Sequence, residues 1–171
     1  GKYLQRRISQ CLQHAEYFPC DSTQTQGDLN RLFPFTRLRS PVIHLSTEST
    51  SERSTYQSAL DASLPFAPNT TPYLLHVGTG AWYKNRKGVI HAFRHICEQN
   101  FYSNIKLVLV GPMPQTDELG LELAGWLDRN QDSYHILQNV PEEWLQILYD
   151  NAKALIFPSH IEGFGWPPLE A

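Results

Sequence analysis

From Pro72 onward, short apolar runs alternate with segments of helical spacing, and few architectures accept that order. Residues 73–77, 106–110, 134–137 and 154–157 are apolar at nearly every position, without the polar alternation of a half-exposed strand. Between them, residues 85–99 carry Val89, Ile90, Ala92, Phe93, Ile96 and Cys97 at helical spacing. Residues 118–129 repeat the pattern with Leu119, Leu121, Leu123, Ala124, Trp126 and Leu127. Residues 141–150 open on Pro-Glu-Glu, a favourable first helical turn, and Pro167-Pro168 can open one more helix. Strands that are apolar on both sides need cover on both sides, which predicts a Rossmann-like, doubly wound parallel α/β sheet. Such sheets bind ligands beyond the carboxyl ends of their strands. The loops after Val77, Val110, Leu137 and Phe157 therefore converge on one edge.

The first part of the chain has weaker patterning. Residues 3–14 read as a helix, 17–20 as a short strand, and Asp21 or Ser22 as the cap of a helix running to Phe33. Residues 41–45 are a further strand candidate. The Ser/Thr-rich stretch 46–71 has no period and reads as an insertion or a mobile linker.

Several function classes fall away on composition. A formal net charge of −3 leaves no basic stripe for nucleic acid, so none is expected as a partner. No apolar run approaches the roughly 18 residues that cross a bilayer. Locally basic residues 2–7 read as a solvated helix face. Cys11, Cys20 and Cys97 are odd in number and lack a CxxC spacing, so they read as thiols of a reducing, cytoplasmic compartment. The seven histidines show no metal-ligand spacing, and no metal site is expected. The Asn69-Thr70-Thr71 sequon is a chance match in a chain of that compartment.

Two strings carry chemistry. The first is Pro158-Ser159-His160-Ile161-Glu162-Gly163-Phe164-Gly165-Trp166-Pro167-Pro168-Leu169-Glu170, directly after the last apolar run. Its glycines let backbone N–H groups approach a ligand, and a helix start behind them favours phosphate or a polarised oxygen. Glu162 and Glu170 offer several acceptor sites each, which suits vicinal hydroxyls of a ribose or sugar ring. Donors for an anion beside acceptors for hydroxyls suit a nucleotide-sugar. The second string, His76 to Gly88, sets Gly78, Thr79 and Gly80 before the Lys84-Asn85-Arg86-Lys87 cluster. An ammonium about 4 Å from a phosphate charge is worth roughly 4 kcal/mol near a protein surface, before desolvation. Trp82 and Trp166 read as packing anchors more readily than as stacking surfaces, and His76, His91, His95 and His160 as structural or exposed.

Together with Leu107 to Gly111 and Leu148 to Ala152, these strings resemble the group 1 glycosyltransferases, retaining nucleotide-sugar enzymes of the two-domain GT-B fold. The likeness is strong over residues 72–171. It implies that residues 41–171 form the donor-binding domain, incomplete at its C-terminus, and that residues 1–40 end an acceptor domain or link to it. It also implies transfer of a hexose-type sugar from a nucleoside diphosphate to a saccharide or glycolipid, with retention, in polysaccharide assembly. The setting implied is cytoplasmic, with peripheral association of the full-length protein at the inner membrane face. No metal and no cofactor is implied beyond the nucleotide-sugar co-substrate.

Carried over by position, Lys84 contacts the donor diphosphate, Glu162 lies beside the donor sugar, and Glu170 accepts from the ribose. These make Lys84 and Glu162 the catalytic candidates. Gly78, Thr79, Gly80, Gly163, Phe164 and Gly165 supply backbone groups to phosphate or sugar. Asn139 and Val140, at the mouth of the third strand, receive the base. The family often has an arginine where Thr79 stands, and Arg86 or Lys87 is the candidate replacement. Two carboxylates reached from one loop and its following helix lie on the same side of a substrate, which suits holding better than nucleophilic attack. A non-catalytic nucleotide-sugar-binding module and a GT-B-like epimerase or phosphorylase are the alternatives. The strand–helix order stops one residue past Glu170, so the 171 residues alone are expected to be inactive.

Overall fold

The computed structural model describes residues 2–34, 39–46, 64–99 and 104–171. The chain divides into two compact units, Gly1–Glu48 with Gly163–Gly165, and Ser49–Glu162 with Trp166–Ala171.

In the first unit, α1 (Lys2–His14) and α2 (Thr23–Leu32) pack through Leu12, Cys20 and Leu29, with Ile8, Phe18 and Phe33 around them. Ser22 is the N-cap of α2. Its backbone is extended and its hydroxyl accepts from the Thr25 N–H at 3.1 Å, satisfying one of the helix's free donors. The strands expected at 17–20 and 41–45 do not form. Only single parallel bridges, Tyr17 to Arg39 and Cys20 to Val42, join the two segments. Pro41 has no N–H to offer the Phe18 carbonyl, so the ladder is interrupted between the two bridges.

The second unit is built on β1 (Tyr73–Val77), β2 (Lys106–Val110), β3 (Tyr134–Leu137) and β4 (Ala154–Leu155). The order across the sheet is β3-β2-β1-β4, all parallel. Successive strand residues point to opposite faces, and both faces are covered. On one face Leu74, Leu107 and Leu109 meet Val89, Ile90 and Phe93 of α3 (Arg86–Glu98) and Leu123, Trp126 and Leu127 of α5 (Leu121–Arg129). On the other, Tyr73, Leu75 and Val108 meet Leu148 and Tyr149 of α6 (Glu142–Asn151). The Tyr73 hydroxyl donates to the Leu148 carbonyl at 2.7 Å, satisfying a polar atom inside that layer. This two-sided burial is the doubly wound, Rossmann-like α/β arrangement expected from the apolar runs.

Three details differ from expectation. The helix expected over 118–129 is broken: α4 (Thr116–Leu119) ends at Gly120, whose φ of +84° is outside helical space, and α5 restarts beyond it. Strand β4 has two residues where four were expected, although the Ile156 N–H still donates to the Leu75 carbonyl at 2.8 Å. Within 46–71, residues 47–63 lie outside the described residues, but 64–71 are no linker. Phe66 stacks on His135 (4.8 Å between centroids, 11° between planes) and sets its edge against Tyr73, so this stretch belongs to the second core layer. No helix among the described residues is long and apolar enough to cross a membrane.

Candidate functional site

Strand order reverses between β1 and β4, because β2 leaves β1 on one side and β4 returns on the other. A crevice opens where neighbouring connections diverge in this way. The loops after β1 and β4 face each other there.

Those loops are tied at four points. His76 in β1 donates from Nδ1 to the Ile156 carbonyl at 2.9 Å. The Asn85 side chain donates to the Pro158 carbonyl at 3.1 Å, and the His160 N–H donates to the Tyr83 carbonyl at 2.8 Å. The fourth tie is an ion pair. Lys84 Nζ lies 2.8 Å from Glu162 Oε1 and 3.0 Å from Oε2, so the ammonium faces both carboxylate oxygens. The two side chains are only 13% and 21% exposed, which protects the pair from most solvent screening. The rings of Tyr83 and Phe157 lie 5.7 and 5.6 Å from the same ammonium, within cation–π range.

Local sequence explains how Lys84 is held. It ends a one-turn 3₁₀ helix, Trp82–Lys84. Asn85 then turns left-handed (φ 52°, ψ 40°), a conformation that Asn tolerates, and accepts from the Gly88 N–H as N-cap of α3. Gly88 leaves room for that cap, since an added Cβ would lie 2.6 Å from Asn85 Oδ1 and force the amide to shift. The lysine stem packs over Gly78: a Cβ there would meet Lys84 Cγ and His76 Nε2, each at 3.5 Å. Thr79 and Gly80 are exposed on the same loop.

Arg86 goes elsewhere. It is 3% exposed, and its guanidinium donates to the carbonyls of Gly78 (2.5 Å), Val110 (2.7 Å) and Pro112 (2.6 Å). Burial lowers its pKa to about 10, so it stays charged at neutral pH while bracing the ends of β1 and β2. It therefore does not stand in for the cation missing at Thr79. Lys87 is exposed on α3.

Glu170 closes the five-residue helix α7 (Trp166–Glu170) and accepts from the Tyr149 hydroxyl at 2.9 Å through Oε2. Burial, then the hydrogen bond and charge of Glu170, push the Tyr149 phenol well above its ordinary range, so it remains a donor. Asn139 sits in a left-handed turn (φ 54°) after β3, and Val140 packs onto the core layer of α6. Gly163, Phe164 and Gly165 count with the first unit, where the Ser22 hydroxyl donates to the Gly163 carbonyl and the Phe164 ring lies 6.3 Å from His44.

Of the residues expected at a site, Lys84 and Glu162 are in direct contact and Gly78 lies under the lysine stem. Asn85, Tyr83, Phe157 and Tyr149 were missed as supporting residues. Only Asn85 left a local signal, the Asn-x-x-Gly cap. His76 is fully buried, and burial lowers its pKa to about 4, so the ring is neutral, with Nε2 left as a bare acceptor.

With this geometry in hand, the likeness to known proteins gains meaning. The family model described as glycosyl transferases group 1 matches residues 63–171. O-antigen chain mannosyltransferase B of Escherichia coli is 25% identical over 176 residues, covering 99% of this chain and 44% of that protein. The serotype-specific mannosyltransferase WbdA of Escherichia coli is 35% identical over 115 residues, 66% of this chain and 13% of that protein. Among solved structures, sucrose-phosphate synthase from Thermosynechococcus elongatus superposes with a TM-score of 0.70 at 20% identity, covering 99% of this chain and 41% of that one. The chain thus spans under half the length of each.

Proposed function

Because the chain belongs to the group 1 glycosyltransferases and has their GT-B-type α/β fold, we propose that it supplies the donor site of an enzyme that moves a sugar from a nucleoside diphosphate to a saccharide or glycolipid acceptor, with retention. The observation that carries this reading is the Lys84–Glu162 pair at the reversal of strand order. Transfer leaves negative charge on the departing diphosphate, and a pre-positioned ammonium stabilises that charge more than it stabilises the intact donor. Lys84 is fixed there by the Asn85 turn below and two aromatic rings beside it. Glu162 holds the ammonium until the diphosphate arrives, then serves hydroxyls of the sugar.

Glu170 takes the ribose. Tyr149 occupies Oε2, which leaves Oε1 as the acceptor aimed by that bond. The backbone at Gly78, Thr79 and Gly80 faces phosphate, and Asn139 and Val140 receive the base. Residues 1–40 end the acceptor domain or link to it, and 41–171 form the donor domain, incomplete at its C-terminus. The relatives named as mannosyltransferases make mannose the first sugar to test. The setting in this proposal is polysaccharide assembly at the cytoplasmic membrane face.

Calorimetry of the full-length protein with UDP-, GDP- and ADP-sugars identifies the base, with Lys84→Ala and Glu170→Ala as controls. Each variant should weaken binding at least about tenfold, the loss of one charge-assisted contact. Unchanged affinity in both would remove the site assignment. Labelled donor should deliver label to an acceptor; label returned in epimerised donor, or transfer that needs phosphate, would favour another GT-B-like reaction.

A further inference from the structure

Resting on that reading, we infer a saccharide subsite next to the donor: the Trp82 indole, flanked by the His160 imidazole, is a stacking platform for a pyranose ring of the acceptor. Trp82 was expected to anchor packing, yet it is 74% exposed. It opens the same 3₁₀ turn that Lys84 ends, so its distance from the ammonium is fixed by one turn of backbone. Its position is held from the sides. Tyr83 meets it edge to face (6.1 Å, 87°), and the His160 ring lies at 6.1 Å, 28° from parallel. The His160 N–H to the Tyr83 carbonyl locks the two loops that carry these rings. Ile161, the next residue of the β4 loop, is 56% exposed.

An aromatic plane held rigid and open to solvent suits a ligand with one apolar face and a polar rim. A pyranose has that form, its axial C–H groups on one face and its hydroxyls at the edge. A nucleobase would also stack, but the sheet order argues against it. The loop after β3, where the base is placed, lies on the far side of β2 and β1 from the β4 loop that carries His160. With the diphosphate at Lys84, the platform lies toward the sugar end of the donor. The donor sugar is engaged by Glu162, whose side chain is largely buried. The ring left for the exposed rim is the acceptor's.

The test uses the full-length protein and saturation-transfer NMR with mannotriose, maltotriose and cellotriose, with Trp82→Ala and Trp82→Phe as variants. Ring C–H protons of at least one trisaccharide should receive saturation from the wild type. The signal should fall about fivefold or more in Trp82→Ala and survive in Trp82→Phe, while nucleoside-diphosphate affinity stays within about twofold. An undiminished signal in Trp82→Ala, or no signal from any trisaccharide, overturns the platform. Loss of nucleoside-diphosphate affinity in Trp82→Ala as large as in Lys84→Ala overturns it too, by placing the indole on the donor. The parent reading fails separately, if Lys84→Ala binds the nucleoside diphosphate as the wild type does.

Discussion

Lys84 and Arg86 stand two residues apart in one basic string, and the molecule uses them in opposite ways. Arg86 is buried against three carbonyls that never leave, so its charge holds the ends of β1 and β2 together. Lys84 faces a single carboxylate of the loop after β4, the partner that the proposed function has an incoming anion replace. The cations in a loop therefore do not count equally toward a phosphate site. What separates them is whether the partner is backbone of the scaffold or a side chain of the facing loop.

The scaffold side of this comparison should break hardest. Gly111 has φ +107°, and an added Cβ would stand 2.0 Å from the Gly78 carbonyl oxygen that Arg86 also binds. Gly111→Ala should cost more than about 4 kcal/mol in urea unfolding, near the top of single-site effects. Arg86→Met, which leaves the three carbonyls without their donor, should cost about 3 kcal/mol, whereas Lys84→Met should cost about 1 kcal/mol. Equal losses at the two positions would erase the distinction between them.

A pH profile sharpens the same contrast. The neutral His76 ring, with its pKa at about 4 against 6.5 when unperturbed, binds fewer protons folded than unfolded. Stability from this site is therefore complete above pH 6.5 and drains as pH falls toward 4, by about 3 kcal/mol in total. His76→Gln should flatten that part of the curve in denaturation measured from pH 7 to 4. The smallest effect belongs to the cap beneath the lysine. Asn85→Ala should cost about 1 kcal/mol in stability. It should lower donor affinity more than that loss suggests, because it also frees the β4 loop at Pro158.

Much of the scaffold was legible because its signal is local. Strands 73–77, 106–110 and 134–137 are apolar at all but one position each, and two-sided cover is the only way to hide them. The break at Gly120 was hidden by an apolar period that runs through it unchanged. Phe66 was lost in a stretch with no period, since its importance lies in the rings of Tyr73 and His135, distant in sequence. At the site, the strings around Lys84 and Glu162 could be read, while their supports could not. Arg86 reaching Val110, Asn85 reaching Pro158 and Tyr149 reaching Glu170 are contacts across 21 to 73 positions, which no spacing rule records.

The central claim is that Lys84 exchanges Glu162 for a diphosphate, and nucleoside-diphosphate affinity measures that exchange without the sugar. Calorimetry on the wild type, Lys84→Met, Glu162→Gln and the double variant forms a complete cycle. Binding should weaken about 50-fold in Lys84→Met and tighten severalfold in Glu162→Gln, with no such gain once Lys84 is absent. Equal affinity in all four proteins would contradict the account.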